Sequence, residues 1–278
     1  MIKSLKPLFF LLLFINVAAF AQTKVDKSKS ELKNNRNTAG NQHDNNGGSS
    51  CSSCDGCSPG FFSTDAIEGV FNFFYVCILG DYKEEQHLNS NLTHYPYYDS
   101  TSGNYEKPGL VTNASKYFRL DIDAKYLYSS MDLTGTHLKV KAHVSKYFYL
   151  QGDLFKFIER DKLTNNNSYL DFYNVNLGYN RVRLDYFNAG WTIGLCYFGN
   201  DVQRGNIQIG LNAELFVIPK LSFSTAYRWS WINNNNIREF DFSGRYHTRN
   251  LFLSAGYEHF RIATPTYDFL SIGAGVYF

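Results

Sequence analysis

From Lys116 to its end the chain alternates apolar and polar residues with a period of two, the spacing of half-buried strands. Phe118, Leu120, Ile122, Ala124, Tyr126 and Tyr128 share one face, and Arg119, Asp121, Asp123 and Lys125 share the other. Leu138, Val140, Ala142 and Val144 then alternate with Lys139, Lys141, His143 and Ser145. A third strand is predicted near residues 147–157, a fourth around Tyr173 to Tyr179, and a glycine-interrupted fifth near 189–198. Ile207 to Leu215, Phe223 to Trp231, Phe240 to Tyr246 and Leu251 to Tyr257 continue the pattern, and a closing strand makes about ten. Each is near the ~9–11 residues that a tilted membrane-spanning strand needs. The connections at 145–146, 218–220 and 248–250 are short and fall at every second junction. Between them the polar runs 159–168, 199–205 and 233–236 predict longer loops. The connection at 180–188 breaks this rhythm, so eight to twelve strands satisfy the pattern.

The last nine residues carry the sharpest signal. Leu270, Ile272, Ala274, Val276 and Phe278 share one face, Ser271, Gly273, Gly275 and Tyr277 share the other, and the chain stops on an aromatic residue. This stretch resembles the closing strand of bacterial outer-membrane β-barrel proteins. The resemblance implies an all-β, antiparallel transmembrane barrel and gives Leu270, Ile272, Ala274, Val276 and Phe278 the role of assembly signal, read by the barrel-assembly machinery. A soluble sandwich or lipocalin-like barrel accounts for the alternation but not for the terminal Phe or the aromatic outer faces. Composition agrees: 24 Phe, 21 Tyr and 3 Trp beside a mean hydropathy of −0.32 is an unusual balance for a soluble core, and aromatic girdles at two membrane interfaces absorb it.

The amino end is organised differently. Lys3 and Lys6 precede the apolar run Leu8 to Phe20, which closes on Ala19-Phe20-Ala21 and reads as a signal peptide over residues 1–21. Residues 22–60 hold few large apolar side chains and predict a flexible periplasmic linker. Cys51, Cys54 and Cys57 stand in it at C-x2-C-x2-C spacing. In an oxidising compartment they are disulfide candidates, with Cys77 available to the odd thiol; a soft-metal or zinc site is the weaker alternative. Residues 61–115 are assigned to an interfacial or plug segment, with one short helix at Phe61 to Tyr82, where Asp65 and Glu68 imitate a capping box. The barrel takes 116–278. No later apolar run is long enough for a transmembrane helix, which leaves closed strands as the way to span.

Net charge is +2, so no global field favours nucleic acid. The expected inner faces carry both signs: Arg119, Lys125, Lys139, Lys141, Arg228 and Arg245 against Asp121, Asp123, Asp153, Glu214, Glu239, Asp241 and Glu258. A ten-stranded lumen is narrow, so these groups are expected to pair across it and close it. No phosphate-binding glycine loop, nucleophile elbow or zinc-hydrolase motif is present, and no cofactor is expected. Asp132, His137, Glu258 and His259 are candidates for a rim hydrolase site. The expected role is therefore structural, or docking of another envelope protein through the amino-terminal segment, in contact with outer-membrane lipid. A narrow channel or a rim-site hydrolase is the alternative.

Overall fold

The computed structural model describes residues 23–33, 78–96, 103–106, 118–162, 165–218 and 220–278. Ten antiparallel strands close into one barrel: β3 (Arg119–Ser130), β4 (Leu133–His143), β5 (Phe148–Arg160), β6 (Asn167–Arg183), β7 (Phe187–Phe198), β8 (Arg204–Ile218), β9 (Leu221–Ile232), β10 (Asn235–Thr248), β11 (Leu251–Ile262) and β12 (Thr266–Tyr277). Ahead of them, β1 (Asn91–Leu92) and β2 (Tyr105–Glu106) make a two-residue ladder. Every barrel strand pairs with its sequence neighbour, and β12 closes on β3 with Leu270 opposite Tyr128 and Tyr277 opposite Asp121. The seam is extended by Phe278 N–H donating to Leu120 O at 2.8 Å and Leu120 N–H donating to Phe278 O at 3.1 Å.

The strands outrun the alternation seen in the sequence. β6 is 17 residues long, and a bulge between Asn180 and Val182 shifts its register against β7. The bulge hides the short connection 184–186 from a period-two reading. The expected loop at 233–236 is instead a two-residue turn, because Asn233 and Asn234 both take positive φ, 49° and 60°. Asparagine tolerates that geometry, and it matches the twist of a hairpin.

The amino-terminal stretch is the larger departure. Lys24–Lys33 forms helix α1 within the region expected to be a flexible linker. Thr23 Oγ1 accepts from Asp26 N–H at 3.1 Å and donates to Asp26 Oδ2 at 2.7 Å, a reciprocal N-cap. Val25, Ser28 and Leu32 fall on one buried face at helical spacing. The helix sits across the barrel mouth and is held at the β5–β6, β7–β8, β9–β10 and β11–β12 turns. Val25 N–H donates to Glu159 Oε2 at 2.7 Å, Ser28 Oγ and Tyr267 OH share a hydrogen bond at 2.8 Å, and Thr264 N–H donates to Glu31 Oε2 at 2.8 Å. Lys29 pairs with Asp201 at 3.1 Å. Of the helix expected at Phe61 to Tyr82, residues 61–77 lie outside the described residues, as do Cys51, Cys54, Cys57 and Cys77. Cys196 is a free thiol buried inside the barrel.

Candidate functional site

Outside, the barrel is apolar. Leu154, Val175, Leu195, Leu211, Leu253 and Ile272 are among the exposed large side chains, and Ile272 reaches 67% exposure. Inside, charged residues are buried: Asp153 and Glu258 are fully buried, and Arg119 and Arg228 are 2% exposed. A water-soluble barrel has the opposite arrangement. Apolar outside with a closed ladder and a polar interior is the arrangement a bilayer requires. Among the described residues no helix is long and apolar enough to cross a membrane.

The lumen is layered along its axis. Near α1, the inward side chains are apolar. Phe155 stacks on Phe172 with centroids 4.5 Å apart, Phe172 on Phe198 at 5.0 Å, and Phe157 meets Phe269 at 4.7 Å and Phe260 at 5.1 Å. Together with Leu127, Leu170 and Val25 and Leu32 of the helix they form one apolar core.

Below that core lies a charged belt. Arg228 pairs with Glu239 and stands 3.8 Å from Asp153. Asp153 Oδ1 is 3.1 Å from His137 Nε2, and Glu258 is 3.1 Å from His137 Nδ1. Lys125 Nζ reaches Glu258 at 2.8 Å and Asp241 at 3.1 Å, and Lys139 reaches Asp241 at 2.6 Å. Carboxylate oxygens accept, so a His137 ring flanked by two of them donates from both nitrogens and counts as a cation. Lys125, His137, Lys139 and Arg228 then face Asp153, Glu239, Asp241 and Glu258, four charges against four. Nearer the chain ends, Arg245 lies 3.3 Å from Glu214 and 3.7 Å from Asp123, Arg119 grips Asp121 at 2.8 Å, and Lys141 sits 4.4 Å over the Tyr149 ring. These too balance, with Arg119, Lys141 and Arg245 against Asp121, Asp123 and Glu214. Two small voids lie among these groups, of about 40 and 20 Å³. Each has room for one or a few waters.

A strap covers the other mouth. Glu85 accepts two hydrogen bonds of 2.7 Å from Arg181, the residue in the β6 bulge. Tyr82 OH and Tyr179 OH lie 2.6 Å apart, Arg183 donates to Leu88 O, and its guanidinium sits 4.7 Å over the Tyr147 ring. Asn104 donates to Glu214 at 2.6 Å and to Asn188 at 3.1 Å, and accepts from Arg119 at 3.0 Å, which ties the strap to the lower charges. Gly103 has φ +119°, and a Cβ there would stand 1.5 Å from the Asp185 carbonyl oxygen, so only glycine fits.

The rim candidates do not assemble. His137 and Glu258 meet, but deep inside, with His137 stacked on Phe155 at 3.9 Å. His259 faces outward and pairs with Asp268 at 2.7 Å, and Asp132 pairs with Lys162 at 2.8 Å in the turns. No group of three or more His, Cys, Asp or Glu side chains suited to a metal occurs among the described residues. Sequence reading missed the strap contacts Glu85, Asn104, Arg181 and Arg183, which have no periodic signature. It also missed the inward Phe residues.

Arg181 donates two hydrogen bonds to the Glu85 carboxyl, whose pKa is thereby held below its ordinary value. A lowered carboxyl stabilises the docked strap above its free value of about 4.3 and loses that contribution as pH falls through the docked value. Trp191 Nε1 donates to Ile78 O at 3.1 Å and reports on the strap. With Trp229 and Trp231 replaced by Phe, acidification from neutral to below about pH 4 is expected to shift Trp191 emission. Glu85→Gln is expected to remove the transition; an unchanged acid transition in that variant contradicts the assignment.

These features define a transmembrane β-barrel of the outer-membrane type. No family model matches the chain, and no curated protein matches it significantly. Among solved structures it is similar to the outer membrane protein Ail of Yersinia pestis in a bilayer nanodisc, with 14% identity over 58% of this chain and 99% of that one and a TM-score of 0.33. An outer membrane channel from Pseudomonas putida matches at 8% identity over 62% of this chain and all of that one (100%), with a TM-score of 0.37. A designed transmembrane β-barrel matches at 15% identity over 58% of this chain and 95% of that one, with a TM-score of 0.31. The class rests on the closed barrel and its apolar exterior.

Proposed function

We propose that this protein is a closed, non-enzymatic outer-membrane barrel that serves a structural role or docks another envelope component. In this reading residues 1–21 direct export, the terminal strand is read by the assembly machinery, and the start of β3 and the end of β12, which lie together at the strap-covered mouth, face the periplasm. The helix-capped mouth then faces outward. The observation that carries the reading is the balanced, ion-paired lumen. A selective pore presents an excess of one sign to water, whereas here every charge of the belt already has a partner of opposite sign. The buried His137 belongs to that pairing. No nucleophile lies among its hydrogen-bond partners, Asp153 and Glu258, as activation of a hydroxyl or thiol requires.

A lumen occupied in this way leaves recognition to the surfaces and to the amino-terminal segment with Cys51, Cys54 and Cys57. Affinity capture from detergent-extracted outer membranes, with the intact chain and with residues 40–60 deleted, tests the docking role. The expected result is one envelope protein recovered in near-equal amount with the intact chain and lost with the deletion. Identical recovery with both chains overturns docking through this segment.

A further inference from the structure

Toward the helix-capped end the barrel inverts its polarity: Phe155, Phe157 and Phe269 point inward while Lys156 and Asp268 between them point outward. On this outward face β10 and β11 set Arg238 directly opposite Arg261, both exposed. Trp229 on β9 and Thr266 on β12 complete the row. A third cation arrives from α1, where exposed Lys24 donates from Nζ to Thr266 O at 3.2 Å.

Like charges directly across a strand pair repel and destabilise it. The neighbouring carboxylate, Asp268, is engaged by His259 at 2.7 Å and by Tyr257 OH at 2.5 Å. Arg261 Nε donates to Ala263 O at 3.4 Å, and no ion pair of Arg238 or Arg261 occurs among the described residues. Three cations on three elements therefore converge with Asp268, already engaged by His259 and Tyr257, as their one neighbouring carboxylate. The next two outward rows toward the barrel's middle hold Tyr227, Phe240, His259 and Asp268, then Thr225, Phe242, Tyr257 and Leu270. Aromatic rows of this kind mark the edge of the hydrocarbon. Phosphates of the headgroups lie just beyond that edge, level with the arginines, and the planar guanidinium fork matches a phosphate's oxygens.

We propose that Arg238, Arg261 and Lys24 bind the phosphate of an anionic lipid headgroup in the outward leaflet, an inference that rests on the membrane reading above. The bound phosphate accepts from both guanidinium groups and relieves their repulsion. The lipid's acyl chains run down over Tyr227, Phe240 and Phe242.

The test uses the full chain in mixed micelles of equal phosphatidylglycerol and phosphatidylcholine, with retained lipid counted by native mass spectrometry. At about 1 kcal/mol for each basic group near a lipid surface, the two arginines are expected to give a ten- to roughly thirtyfold preference for phosphatidylglycerol. Arg238→Gln/Arg261→Gln is expected to bring the preference close to parity, while Arg249→Gln at the opposite end keeps it. Heat-modifiable migration of every variant is read in parallel. A chain that fails to assemble in lipid at all counts against the membrane reading, whereas an assembled double variant with undiminished preference overturns the headgroup site alone. Displacement of the lipid by an equal concentration of inorganic phosphate also overturns it, since the site then takes any phosphate.

Discussion

Replacing Lys125 with Met is expected to destabilise the barrel more than any other single change in the lumen. Lys125 is the bridge between Asp241 and Glu258, at 3.1 and 2.8 Å, and its side chain is 1% exposed. Methionine keeps the volume but leaves two buried carboxylates with one cation fewer. Removing one partner of a buried pair costs about 3–5 kcal/mol, because the remaining charge is neither hydrated nor paired. The matched variant Lys125→Met/Glu258→Gln restores neutrality and is expected to recover most of the loss, although His137 then gives up one acceptor. Urea unfolding of lipid-reconstituted barrel, followed by heat-modifiable migration, gives the comparison. A Lys125→Met midpoint matching that of the parent means that water already screens these groups and the lumen is wet.

The second large effect is expected at the seam. The peptide groups of Phe278 and Leu120 exchange two hydrogen bonds, and the Phe278 side chain is 67% exposed on the outer face. Deleting Phe278 removes the last rung between β12 and β3 and the terminal aromatic together. Phe278→Ser removes only the aromatic. If the terminal side chain directs assembly, both variants fall to a small fraction of the parental level in the outer membrane, with unassembled chain in the periplasm. If the seam hydrogen bonds alone matter, Phe278→Ser assembles normally, which removes the signal role from the side chain.

The contrast between these two sites shows what the sequence made legible. Period-two alternation is a local property, so Arg119-x-Asp121-x-Asp123-x-Lys125 announced an inward charged face from the residues alone. Which charges meet was not legible. Lys125 finds Asp241 at a separation of 116 residues and Glu258 at 133, and only barrel closure brings them together. The outer third was misleading for a physical reason. Where the wall leaves the hydrocarbon its polarity reverses, so Phe155-Lys156-Phe157 and Tyr267-Asp268-Phe269 alternate faithfully but with apolar residues inside. Helix α1 had a signal, the Thr23-x-x-Asp26 cap and the 25, 28, 32 spacing, but with only two large apolar residues it carried too little hydrophobicity to stand out from a Lys- and Ser-rich stretch. The strap left no periodic trace, since it is held by single contacts such as Glu85 with Arg181 rather than by a repeating face.

The most direct test of a closed lumen is electrical. Full-length protein, with its assembly confirmed by heat-modifiable migration, is reconstituted in a planar bilayer and held at a range of voltages. Ion pairs across a narrow interior, an apolar core of Phe155, Phe157, Phe172 and Phe269 beside α1, and a strap across the other mouth predict a flat record without stable steps. Reproducible conductance steps whose ion selectivity changes on neutralising Asp241 or Lys139 would contradict the account, because current that senses those charges must pass through the belt that holds them.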